Sequence, residues 1–118
     1  KSNPPEAFLR AFFQCHYQDE FAHIPGEGCL LVNTVVELAD TEPVLVQRAL
    51  GYLSLAEKTL AMYFKSAQKM GQMAQEKNPT SLAKFFMNTK KGLMVSVRHG
   101  TPLKELSDVI ETALLILK

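Results

Sequence analysis

The sequence predicts an all-α protein of five helices. Apolar residues recur every three or four positions along most of the chain, the spacing that places side chains on one face of a helix. Proline, glycine and capping residues divide that pattern into five stretches. No two stretches are joined by a turn of the kind that makes a β-hairpin, so we do not expect a sheet.

The first helix is predicted from about Pro5 to about Ala22. Pro4 and Pro5 suit the first turn of a helix, where a backbone N–H has no partner within the helix. Apolar and aromatic residues follow at helical spacing, namely Phe8, Leu9, Phe12, Phe13, His16, Tyr17 and Phe21. Residues 23–28 contain one proline and two glycines and are predicted to form a loop.

The second stretch, Cys29 to Ala39, could be a strand or a helix. Its aliphatic and β-branched residues favour a strand by propensity. A single strand without a partner would leave its backbone hydrogen-bonding groups unpaired, however. We therefore expect a buried helix, with Asn33 and Glu37 one turn apart on one face and Cys29 one turn earlier.

The third and fourth helices each begin at a proline. The third is predicted from Pro43 to about Gln75, a length of roughly 50 Å at about 1.5 Å per residue. Gly51 inside it is a weak point that could mark a kink or a close contact. The fourth is predicted from Pro79 to His99, with Asn78 as its N-terminal cap and Gly100 as a left-handed C-terminal cap.

The fifth helix follows Thr101 and Pro102, which repeat the signal of a capping residue before a proline. The fourth and fifth helices carry more apolar surface than one core needs. On the fourth helix, one apolar stripe contains Leu82, Phe86, Leu93 and Val97, and a second contains Phe85, Gly92 and Val95.

We expect the second stripe to need a second partner, because a small domain has its core on one side only. A glycine in mid-helix is also costly unless something packs closely against it. The last two helices of two chains would then form a four-helix dimer interface. The candidate interface residues are Phe85, Gly92, Val95, Val109, Ala113 and Leu117. The alternative is that the long third helix covers both stripes.

Composition excludes several classes of function. The 13 Lys and Arg residues nearly balance the 12 Asp and Glu residues, so the chain lacks the positive charge typical of nucleic-acid binding. No stretch approaches the roughly 20 apolar residues that span a bilayer. Phosphate-binding glycine loops, paired-histidine metal motifs and nucleophile elbows are absent, so we expect neither an enzyme nor a cofactor. The two cysteines indicate a cytoplasmic protein with reduced thiols.

Two parts of the sequence resemble the regulatory domain of TetR-family transcriptional repressors. The stretch from Gly28 to Pro43 is similar to the family signature G-C-L-[LF]-x-N-x-x-x-E-x-A-D-x-x-P. The family's penultimate helix is resembled by Asn78-Pro79, Leu82-Ala83, Phe86, Gly92-Leu93 and Arg98-His99-Gly100. The resemblance covers nearly the whole chain from about Phe8.

The resemblance implies that DNA binding and ligand binding belong to two different domains of a longer regulator. In that family an N-terminal helix-turn-helix domain binds operator DNA, while the C-terminal helical domain dimerises through its last two helices and binds a small-molecule inducer. Residues 1–118 would be the C-terminal domain, with the helix-turn-helix domain absent from this chain. We expect a homodimer with a small-molecule effector and no membrane partner, and operator binding only through the absent domain.

The effector is expected to be mostly apolar, since the first three helices are rich in aromatic and aliphatic residues with few polar groups among them. The candidate ligand-binding residues are Phe8, Phe12, His16, Asn33, Glu37, Leu53, Glu57, Leu60 and Phe64. The alternative for most of them is an ordinary role in the core, because an aromatic stripe at helical spacing usually packs inside the fold.

Cys29 offers a different function. A thiol near the start of a helix can have a lowered pKa and react with oxidants or electrophiles, so the chain could be a redox sensor. It could also be a dimerisation module only. A metal site is not expected, because the spacing of Cys15, His16, His23 and Cys29 matches no common zinc pattern.

Overall fold

A computed structural model of the chain describes residues 4–14 and 40–118. The described residues form four α-helices, a short 3-10 turn and no strand, which confirms the all-α class. The elements are α1 (Pro4–Gln14), α2 (Pro43–Lys69), α3 (Pro79–Arg98), α4 (Leu103–Leu114) and the turn Leu115–Leu117. The predicted second helix, Cys29 to Ala39, and the continuation of the first helix to Ala22 lie outside the described residues.

The helix starts are set mainly by proline and by one side-chain cap. Proline occupies the first turn of α2 and of α3, as predicted. The Asn78 side chain accepts a hydrogen bond from the Ser81 N–H at 3.1 Å, which confirms it as the cap of α3. The last helix begins one residue later than its sequence signal suggests, because Pro102 is itself the N-cap residue.

The predicted end of the long helix, near Gln75, is wrong. Helix α2 ends at Lys69, so it is about 40 Å long at about 1.5 Å per residue. Gly71 adopts a left-handed conformation with φ of +71°, and its N–H donates to the Gln68 carbonyl at 3.1 Å. The Gln72 N–H donates to the Ala67 carbonyl at 2.8 Å, which completes a Schellman motif that stops the helix.

The end of α3 follows the same rule and agrees with the sequence prediction. Gly100 has φ of +78°, and its N–H donates to the Val97 carbonyl at 3.0 Å. The Thr101 N–H donates to the Ser96 carbonyl at 3.0 Å. Two left-handed glycines therefore define the turns on either side of α3.

The core is formed by the facing sides of all four described helices. Its centre is aromatic: the Phe86 ring of α3 lies 5.6 Å from the Phe13 ring of α1 and 5.7 Å from the Phe64 ring of α2, centroid to centroid. Ile110 and Leu114 of α4 are fully or almost fully buried on the same core. Among the described residues the core contains no polar or charged side chain.

Two glycines allow a direct test of how α2 ends. A Cβ added at Gly71 or at Gly51 would meet no atom within 4 Å, so a steric clash would not contribute to the effect of either substitution. Gly71→Ala should lower the free energy of unfolding by about 1 to 2 kcal/mol, because an L side chain is strained at positive φ. Gly51→Ala should raise it by up to about 1 kcal/mol, because alanine favours a helix interior.

The measurement is chemical denaturation of both variants and the wild type at one protein concentration. Equal effects of the two substitutions would contradict the role assigned to Gly71.

Candidate functional site

A groove runs between α1 and α2 and has a volume of about 560 Å³. Its wall on α1 consists of Phe8 and Phe12, which are one turn apart and therefore share a face. Its wall on α2 consists of residues that recur at helical spacing, namely Tyr52, Leu55, Ala56, Thr59, Leu60 and Tyr63. These eight residues are called the aromatic groove below, since four of them carry aromatic rings.

The aromatic groove is almost entirely apolar. The Phe8 and Tyr63 rings stack across it with centroids 4.1 Å apart and an interplanar angle of 21°. Its polar side-chain groups are the hydroxyls of Tyr52, Thr59 and Tyr63, and the Thr59 hydroxyl donates to the Leu55 carbonyl at 3.0 Å. Burial raises the pKa of Tyr63 above its ordinary value, so its phenol remains a hydrogen-bond donor even further above neutral pH than that of a free tyrosine.

Polar contacts fix α1 to α4 on the outside of the fold. The Arg10 guanidinium donates to both carboxylate oxygens of Glu111, at 2.7 and 3.1 Å, and also pairs with Glu6 at 3.5 Å. The hydrogen bond from Arg10 holds the pKa of Glu111 below its usual value. This forked contact joins α1 to α4 at the surface.

A second polar contact fixes α1 to α3. The Lys90 ammonium donates to the Phe12 carbonyl at 2.8 Å and lies 3.8 Å from the centroid of the Phe12 ring. Lys90 is partly buried, so its charge is held beside a ring of the aromatic groove rather than extended into solvent.

A separate shallow groove of about 390 Å³ lies between α3 and α4. We call it the outer face, and its residues are Phe85, Thr89, Asp108, Val109, Thr112 and Ala113. Phe85 is 39% exposed and Val109 is 46% exposed, so both present apolar surface to solvent. Three of the six residues of the outer face are apolar, and Asp108 is the charged one among them.

A family model described as Tetracyclin repressor-like, C-terminal domain, matches residues 6–111. The chain belongs to this TetR-like family. The match confirms the resemblance seen in the sequence and identifies the chain as a regulatory domain of a transcription regulator. No curated protein and no solved structure matches the chain.

Three of the ligand-binding residues predicted for this TetR-like domain come together in the aromatic groove: Phe8, Phe12 and Leu60. Phe64 is instead fully buried in the core, and Leu53 packs against the core while partly buried. His16, Asn33 and Glu37 lie outside the described residues, as does the candidate redox residue Cys29.

Glu57 lies away from the aromatic groove. Its carboxylate pairs with the Lys84 ammonium at 3.0 Å, and it lines a smaller groove of about 280 Å³ together with Lys58, Lys65 and Thr80, among others. This pair joins α2 to α3 on the surface, where an exposed ion pair adds about 0 to 1 kcal/mol of stability.

Sequence reasoning did not single out Tyr52, Leu55, Thr59 or Tyr63. The predicted Leu53, Leu60 and Phe64 belong to the core side of the long helix, whereas Tyr52, Thr59 and Tyr63 are each about 100° away from one of them around the helix. Three of the four missed residues directly precede a predicted one along the chain: Tyr52 precedes Leu53, Thr59 precedes Leu60 and Tyr63 precedes Phe64. Tyrosines flanking a core stripe were the available signal, since a tyrosine combines an apolar body with a polar tip.

The predicted dimer residues differ in their exposure within one chain. Phe85, Gly92 and Val109 are exposed, and a Cβ at Gly92 would meet no atom within 4 Å. Val95 is partly buried, whereas Ala113 and Leu117 are buried. Among the described residues, the long helix α2 leaves Phe85 and Gly92 exposed. The alternative that this helix covers both apolar stripes of α3 therefore does not hold at these two residues.

Residues 4–14 and 40–118 contain neither a metal-binding cluster nor a helix suited to crossing a membrane. No group of three or more His, Cys, Asp or Glu side chains there could hold a metal ion. No described helix combines the length and apolar content that crossing a membrane requires. Cys15, His16, His23 and Cys29, whose spacing matches no common zinc pattern, lie outside the described residues.

Proposed function

We propose that this TetR-like domain binds a mostly apolar small molecule in the aromatic groove and thereby modulates operator binding by a helix-turn-helix domain of the same regulator. The groove itself is the observation that supports the proposal. Its volume of about 560 Å³ falls in the usual range for small-molecule sites, and its few hydroxyls among rings are the pattern such sites use for orientation.

The proposed mechanism is a shift between two orientations of α1. A ligand wedged between Phe12 on α1 and Leu60 on α2 would favour the orientation that accommodates it. In this family α1 lies on the side where the DNA-binding domain attaches, so its orientation would be passed to that domain. A tenfold preference for one state contributes about 1.4 kcal/mol, and near-complete switching needs about 5.5 kcal/mol.

We also propose that the domain forms a homodimer through the outer face. Its exposed apolar side chains, Phe85 and Val109, lie on the two helices that the family uses for dimerisation. The exposed backbone of Gly92 would let a partner helix approach closely, which gives this mid-helix glycine a reason. Two copies would then present two DNA-binding domains to one operator.

Ligand binding is tested by thermal melts against a library of hydrophobic and aromatic metabolites. At least one class should raise the melting temperature in a saturable way, because a ligand that binds the folded state stabilises it. Phe8→Ala and Phe12→Ala should remove that shift. Leu50→Ala is the matched control, since Leu50 and Phe8 are similarly exposed, at 41% and 42%, but Leu50 lines neither the aromatic groove nor the outer face. A shift that Leu50→Ala removes and Phe8→Ala leaves would contradict the proposed site, as would a library without any stabilising compound.

Dimerisation is tested by sedimentation at micromolar concentration. The wild type should show about twice the monomer mass, and Gly92→Leu should weaken association at least tenfold by overpacking the interface, a loss of about 1.4 kcal/mol. Gly51→Leu is the matched control, because Gly51 is also an exposed helical glycine with open space around its Cβ position. A monomeric wild type, or equal effects of both substitutions, would refute the assigned interface.

A further inference from the structure

Resting on the ligand site proposed above, we propose that Lys90 makes the aromatic groove selective for planar aromatic ligands that carry no positive charge. Lys90 is then a specificity-determining residue, although it is not itself one of the eight residues of the groove. Its ammonium acts through the Phe12 ring, which it contacts at 3.8 Å from the ring centroid.

The aromatic rings favour a flat ligand but do not by themselves decide its charge. Phe8 and Tyr63 are already stacked nearly parallel, at 4.1 Å and 21°, so a planar molecule can extend the same stack. Aromatic faces also attract cations, and groups of rings are a common site for quaternary ammonium compounds. The charges around the rings therefore determine which of the two kinds of ligand is preferred.

Three described carboxylates, those of Glu6, Glu57 and Glu111, pair with cations that do not line the aromatic groove. Glu6 and Glu111 pair with Arg10 on the outside of α1, and Glu57 pairs with Lys84 beside a different groove. No Asp or Glu is among the described residues that line the aromatic groove. A cationic ligand would thus find rings but no described counter-ion.

Lys90 adds a positive charge at the place where such a ligand would bind. The hydrogen bond to the Phe12 carbonyl at 2.8 Å keeps the ammonium beside the ring. A cation attracted to the Phe12 ring lies within about 6 Å of its centroid, and hence within about 10 Å of the Lys90 nitrogen. That separation is no longer than the Debye length of about 10 Å in 0.1 M salt, so the repulsion is not screened away.

The test compares two probes of nearly the same shape, neutral 2-naphthylmethanol and cationic 2-naphthylmethylammonium. Their dissociation constants are measured on the 118-residue chain by calorimetry, and the ratio of the cation's constant to the alcohol's is the discrimination factor. The wild type should discriminate by about tenfold or more. Lys90→Met should reduce the factor severalfold, because it keeps the length of the side chain and removes the charge.

Two variants and a salt series serve as controls. Lys90→Arg retains a cation and should retain the wild-type factor, and Lys91→Met changes the net charge equally on the same helix but keeps both the Lys90–Phe12 contact and the Glu57–Lys84 pair. The wild-type factor should also fall as salt is raised from 0.02 to 0.5 M, because the Debye length shortens from roughly 20 Å to roughly 4 Å. This salt series tests the proposal even if Lys90→Met does not fold.

Each outcome bears on one of the two proposals. If neither probe binds the wild type, the proposed ligand site fails and this inference fails with it. If the alcohol binds but the factor is the same in the wild type and Lys90→Met, or is independent of salt, the ligand site stands and the role of Lys90 is refuted.

Discussion

The contact between Phe13 and Phe86 is the interaction on which the described structure depends. It joins α1 to α3, and the neighbouring ring of Phe64 joins the same cluster to α2, with centroids less than 6 Å apart in both pairs. Phe13 and Leu9 are one turn apart and both buried, so one face of α1 is fixed on the core. The adjacent face, with Phe8 and Phe12, must then point along α2, and the aromatic groove exists for that reason.

Burial and charge contribute differently to this arrangement. Each of the buried rings at the centre contributes about 1.5 to 3 kcal/mol by leaving water. The ion pairs between helices, such as Arg10–Glu111, are largely exposed and are worth about 0 to 1 kcal/mol each. The aromatic core therefore provides most of the stability of the packing between helices, while the polar contacts of Arg10 and Lys90 link α1 to α4 and α3 at the edge of that core.

The sequence predicted features that are encoded locally. The starts of α2 and α3 follow from proline and from the Asn78 cap, and the left-handed Gly100 is visible as a stop. Gly71 was missed because apolar residues continue past it at near-helical spacing, so the single glycine was the only contrary signal. The groove was predicted in part, since periodicity identifies the core stripe of a helix but does not show which flank a neighbouring helix leaves open.

The central claim is that the aromatic groove, and not the outer face, holds the effector. Intermolecular nuclear Overhauser effects between 2-naphthylmethanol and a methyl-labelled domain test it most directly. The account predicts contacts from the naphthyl protons to the methyl groups of Leu55, Ala56 and Leu60, which line the aromatic groove. Contacts to the methyl groups of Val109 and Ala113 on the outer face, or no contacts at saturation, would contradict it.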